Sequence, residues 1–128
     1  MIVVVDASVI VRGLEADGAA RGHLMEDAIQ IPHLADVEIA HAFRAQVRRG
    51  RVTAEDAESR LGLWRRLGVA RHPMMSLLPR VWDLREGLSA YDATYVALAE
   101  ALECPLVTAD LRLAGAPGPR CEIIATRS

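Results

Sequence analysis

Four of the seventeen acidic residues, Asp6, Glu38, Asp92 and Asp110, fall at strand ends or in first helical turns, while most of the others sit on polar helix faces. Asp6 interrupts the apolar run VVVDASVIV, residues 3–11. A carboxylate taken out of water protonates, pairs or binds a cation. Ile2, Val3, Val4 and Val5 suit a buried strand, and Ala7 onward can continue as a helix. The pattern predicts Asp6 at a strand-to-helix turn, exposed at the carboxyl end of the strand. Asp110 repeats the arrangement in LVTAD, residues 106–110. If the two strands are parallel neighbours, their acids approach each other. Taken alone, Asp110 reads as only a cap for the turn Leu111 to Ala114. Asp92 lies three positions after Ser89 in SAYDATYVALAEAL, a capping box closed by Asp in place of Glu, where the helix dipole favours its charged form. Glu38, in LADVEIAHAF, projects beside Ala35, Ala42 and Ala45, away from the Ile39–Phe43–Val47 stripe. By itself it reads as a solvated helix acid.

Four carboxylates on one rim repel one another and need a counter-charge. The chain has no lysine, and no arginine stands within three residues of Asp6, Glu38 or Asp92. A divalent cation is the simplest compensation, and all-oxygen ligands favour Mg²⁺ or Mn²⁺ over zinc. Such an ion activates water and stabilises charge on a scissile phosphate.

The elements that would hold these acids follow from hydrophobic periodicity. Strands are predicted at 2–5, Gln30–Pro32, Val69–Arg71, Pro105–Thr108 and Glu122–Ala125. Helices are predicted at 7–15, 18–28, 34–49, 53–67, 76–87 and 90–102. Leu24, Met25 and Ala28 are expected on the apolar side of the second helix, and Thr53 as the N-cap of the fourth. Alternating short apolar strands and helices imply a parallel sheet covered on both faces, which binds ligands outside its carboxyl ends.

A length of 128 residues with 52% hydrophobic content fits one domain with a real core. No apolar run reaches the roughly 18 residues of a membrane span, and the first run lacks a signal peptide's basic start and cleavage-like end, so a cytoplasmic protein is expected. Cys104 and Cys121 have no metal-type spacing and read as small core residues. The net charge of −2 excludes an overall basic coat for nucleic acid. Without lysine there is neither a Walker-A loop nor a Schiff-base site.

The segments VVVDASVIV, PHLADVEIAHAF, LSAYDATYVALAEAL and CPLVTADLRLA, in this order and spacing, resemble the PIN-domain ribonucleases. They look most like the VapC-type toxins of toxin–antitoxin pairs, and the resemblance runs from Ile2 to about Ile124. It implies a single domain over residues 1–128, with a three-layer α/β/α PIN-like fold and a central parallel sheet of four to five strands. It also implies a homodimer and Mg²⁺- or Mn²⁺-dependent endonucleolytic cleavage of structured RNA such as tRNA or rRNA. The implied partner is a small VapB-like antitoxin whose tail occupies a groove beside the active site. The family's acidic quartet falls on Asp6, Glu38, Asp92 and Asp110, with accompanying hydroxyls at Ser8 and Thr108. On this reading Asp6, Asp92 and Asp110 are metal ligands, direct or through water. Glu38 positions water or adds a ligand, and Ser8 and Thr108 orient the carboxylates.

Arg112, two residues after Asp110, is the arginine expected to touch substrate. The runs Arg44, Arg48, Arg49, Arg51 and Arg60, Arg65, Arg66, Arg71 read as solvated helix faces. The histidines show no ligand spacing. Trp64, Trp82, Tyr91 and Tyr95 are spaced as packing residues, for the core or a dimer contact. Leu14, Leu24, Met25 and Phe43 could line an antitoxin groove or belong to the core. A phosphate-accepting receiver domain would need a lysine, and an aspartate-nucleophile phosphatase a second Asp where Ser8 stands. A PIN-fold module that binds RNA or a partner without turnover is the remaining alternative.

Overall fold

Val3, Val4 and Val5 are each 0% exposed. Successive strand residues point to opposite faces, so both faces of their sheet are covered. The computed structural model describes residues 1–126. The strands are β1 (Ile2–Val5), β2 (Ala28–Pro32), β3 (Ala70–His72), β4 (Leu106–Thr108) and β5 (Ile123–Ala125). The helices are α1 (Ala7–Glu15), α2 (Ala19–Glu26), α3 (Leu34–Arg48), α4 (Ala54–Arg66), α5 (Leu78–Asp83), α6 (Ala90–Leu102) and α7 (Leu111–Ala114). The sheet has the order β3-β2-β1-β4-β5, and every pairing is parallel.

The order reverses between β1 and β4, and ligands of open α/β sheets bind at the carboxyl ends of such a pair. Val4 pairs with Leu106 and Val5 with Val107, so Asp6 and Thr108 leave the sheet side by side. Helix α6 lies against β1, β2 and β4 with α5 beside it, while α1 packs on α2, α3, α4 and β4. At Gly13 a Cβ would lie 2.4 Å from Leu24 Cδ1, so the missing side chain permits the close crossing of α1 and α2. Among the described residues no helix is long and apolar enough to cross a membrane.

Two elements differ from expectation. The second helix stops at Glu26 because Ala28 joins the sheet, donating to the carbonyl of Met1 at 2.9 Å; Met25 is 51% exposed. The segment expected as one helix over 76–87 is a 3₁₀ turn at Met75–Leu77 followed by α5. Pro79 lacks an amide hydrogen and fits only the first turn of a helix, so α5 begins at Leu78 and does not extend back through Met75–Leu77. Trp82 and Tyr91, expected as packing residues, are 67% and 63% exposed in the single chain. Leu14, Leu24 and Phe43 are core residues rather than groove lining. Cys104 and Cys121 are half-buried and unpaired with each other.

Candidate active site

Asp6 ends β1 and caps α1, its carboxylate accepting from the Val9 amide at 3.2 Å. It is only 5% exposed, which overturns the expectation of an exposed strand-end acid. The cause is tertiary. The Ser8 hydroxyl donates to Oδ1 at 2.5 Å, and the Thr108 hydroxyl, arriving on β4, donates to Oδ2. The same two hydroxyls accept from the chain that follows β4, Ser8 from the Ala109 amide at 3.1 Å and Thr108 from the Asp110 amide at 3.0 Å. One network therefore locks the ends of the two central strands together. Burial raises the pKa of Asp6 despite these three donors, and the charge of Asp92 adds to the rise.

Thr53 and Ser89 cap α4 and α6 as expected, accepting from the amides of Asp56 and Asp92 at 3.0 and 3.1 Å. The Ser89 cap places Asp92 in the first turn of α6, where burial raises its pKa and the charge of Asp110 raises it further. Asp110 caps α7 through the Arg112 amide at 2.9 Å, as its bland reading foresaw. Its carboxylate also meets the Arg112 guanidinium at 3.3 Å, and these Arg112 hydrogen bonds hold its pKa below the usual range. Arg112 itself is 92% exposed.

Glu38 is half-buried on α3, and its Oε1 accepts from the Tyr95 hydroxyl at 2.6 Å. Burial raises its pKa, Tyr95 opposes the rise, and Asp92 and Asp6 reinforce it. Tyr95 is 1% exposed, and its phenol is pushed far up by burial and by Glu38, so it remains a neutral donor. Periodicity assigned Tyr95 to packing alone. The signal that could have revealed it is its place three residues after Asp92, on the same face of α6.

The four acids thus form one electrostatic group in which Asp6 and Glu38 each feel Asp92, and Asp92 feels Asp110. Among the described residues no three His, Cys, Asp or Glu side chains are close enough to enclose a metal ion by themselves. The group still fits one class of ion. Its donors are all carboxylate oxygens, and three of the four are destabilised in charged form by burial and by one another. Mg²⁺ and Mn²⁺ accept such oxygens, and Mg²⁺ keeps several of its own waters.

A cleft of about 830 Å³ opens beside the acids between α1 and α3. Ser8, Glu38 and Tyr91 stand along it with Arg12, Val37 and His41. A smaller cleft of about 590 Å³, with Cys104, Arg120 and Cys121 on its wall, precedes β4 and β5 at the opposite end of the sheet and holds none of the four acids.

Residues 3–118 match the family model described as PIN domain. The chain belongs to the PIN domain family. It is 48% identical over 122 residues to a VapC ribonuclease of Mycobacterium bovis, covering 95% of this chain and 96% of that one. It is 43% identical over 129 residues to ribonuclease VapC1 of Mycobacterium tuberculosis, covering 97% of each. Among solved structures, PAE2754 from Pyrobaculum aerophilum superposes with a TM-score of 0.72 at 26% identity, over 97% of this chain and 83% of that one. The VapBC2 structure from Rickettsia felis, bound to a DNA fragment from its promoter, gives a TM-score of 0.72 at 13% identity and 98% coverage of both chains. At that identity the likeness concerns the PIN fold alone.

Proposed function

We propose that this PIN domain is an endoribonuclease, the toxin of a type II toxin–antitoxin pair, which hydrolyses structured RNA such as tRNA or rRNA with Mg²⁺ or Mn²⁺. The observation that carries the reading is the buried Asp6 at the β1/β4 switch point, grouped with Glu38, Asp92 and Asp110. The ribonuclease names of the relatives at 48% and 43% identity support the substrate class.

Asp6, Asp92 and Asp110 would hold the cation, directly or through water. When bound, a divalent cation neutralises the acids, polarises a phosphate and activates water. Ser8, Thr108 and the Val9 amide keep the Asp6 carboxylate from turning. Glu38 would position water or add a further ligand. Arg112, exposed and loosely paired, leaves Asp110 to meet an RNA phosphate. The cleft between α1 and α3 suits the tail of a VapB-like antitoxin, which would block the acids from one side. The protein acts in the cytoplasm as a homodimer, and the exposed Trp82 is available for that contact.

The test is cleavage of total RNA by the isolated chain with Mg²⁺, with Mn²⁺ and with chelator, beside Asp92→Asn. The cap of α6 uses the Asp92 backbone amide, so the variant keeps its fold. Discrete metal-dependent fragments, reduced at least ~100-fold in the variant, are expected. A folded, partner-free chain that binds RNA or Mn²⁺ without cutting would replace the enzyme by a binding module.

A further inference from the structure

We infer that Tyr95 is a positioning residue for the candidate cation site, its hydroxyl fixing Oε1 of Glu38 so that Oε2 is the oxygen left to serve the cation or its water. The inference rests on the reading of Glu38 as part of that site. A glutamate has one more rotatable bond than an aspartate, and a long side chain loses more rotamer freedom when it is fixed. Asp6 is held by three donors and Asp110 by its helix cap and Arg112. Glu38 has the Tyr95 hydroxyl at 2.6 Å.

That donor is unusually well placed. Its ring is 1% exposed within α6, which lies against β1, β2 and β4. The phenol therefore does not follow Glu38 if the carboxylate turns; the carboxylate is held to the phenol. Tyr95 shares its helix face with Asp92, three positions earlier, so the bond also ties Glu38 of α3 to the helix that carries Asp92. Mere satisfaction of a buried phenol explains the hydrogen bond but not the choice of partner. A donor that meets one oxygen of a charged carboxylate also leaves the second free, as groups that orient metal-binding carboxylates do.

Tyr95→Phe keeps the ring and removes the hydroxyl. Mn²⁺ binding is read from the free-ion electron paramagnetic resonance signal, and folding by circular dichroism. About tenfold weaker Mn²⁺ binding is expected, the lower end of what loss of such a supporting group costs. The KM for RNA stays unchanged while kcat falls. Glu38→Asp retains the charge but shortens the reach to Tyr95, so it is expected to weaken Mn²⁺ binding similarly. Adding Tyr95→Phe to it is then expected to change binding less than ~2-fold, because coupled effects do not add. Mn²⁺ affinity of Tyr95→Phe equal to wild type overturns the inference, as does a full tenfold loss in the Glu38→Asp background. If the wild-type chain takes up no Mn²⁺, the cation-site reading fails and this inference with it. If wild type binds and cuts and only the Tyr95 effects are missing, the cation site stands and Tyr95 is packing.

Discussion

Replacing Thr108 by valine preserves the shape of a side chain that is 0% exposed and removes one oxygen. That oxygen donates to the buried Asp6 carboxylate and accepts from the Asp110 amide at 3.0 Å. A hydrogen bond to a charged group contributes about 1.5–3 kcal/mol, and stranding a partly buried amide adds up to ~1 kcal/mol. A loss of about 2–3 kcal/mol is therefore expected. With ~2.1 cal/mol/K of unfolding entropy per residue, a chain of this length loses roughly 4 °C of Tm per kcal/mol. Calorimetric melting at pH 7 in chelator should show Tm lower by about 7–11 °C. The pH dependence has a definite sign. Thr108 donates to the charged form, so the Asp6 pKa in the folded variant lies above that in wild type, which is itself above 3.8. The penalty is full above both folded values and shrinks as pH falls through them. A Tm change under ~2 °C at every pH from 7 to 9 would refute the argument that the Thr108 hydroxyl stabilises the Asp6 carboxylate. A penalty that grows on acidification would refute it too.

The same structure implies other outcomes. Asp6, Glu38 and Asp92 have raised folded pKa values, so their contribution to stability is full below the unfolded values and is lost as pH rises through the folded ones. Melting curves in chelator should therefore improve as pH falls from alkaline values through the folded pKa values of these acids, and millimolar Mg²⁺ should raise Tm more at pH 8 than at pH 5. Gly13→Ala gains up to ~1 kcal/mol of helix propensity. It also places a methyl 2.4 Å from buried Leu24 and 3.2 Å from the Ala20 backbone. Overpacking costs about 1–3 kcal/mol, so urea denaturation should show a net loss. Burial pushes the Glu100 pKa up, but Arg80 and the Arg120 amide more than offset it. Glu100→Gln weakens bonds of 2.7, 3.1 and 2.8 Å to those groups and should lower Tm by roughly 4–7 °C, for about 1–2 kcal/mol. Because the folded pKa of Glu100 is depressed, that difference should vanish as pH falls through it.

Much of this was legible in the residues themselves. Runs of valine before Asp6, the caps at Thr53 and Ser89, and the apolar stripe of α3 are local signals, set by side-chain shape and by hydrogen bonds within one turn. They located every strand to within two residues, most of the helices, and Asp6, Asp92 and Asp110 at element starts; Glu38 lies beyond the first turn of α3. Local signals failed where distant segments compete for the same backbone. Ala28 was drawn into the sheet by β1, and Pro79 divided what periodicity joined. The burial of Asp6 and the grip of Tyr95 on Glu38 were decided by tertiary structure alone. Thr108 lies 102 residues from Asp6, and Tyr95 lies 57 from Glu38. Hydrophobic periodicity records which face of an element avoids water. It carries no information about which polar group from a remote element arrives to meet a carboxylate there, because that depends on sheet order and register.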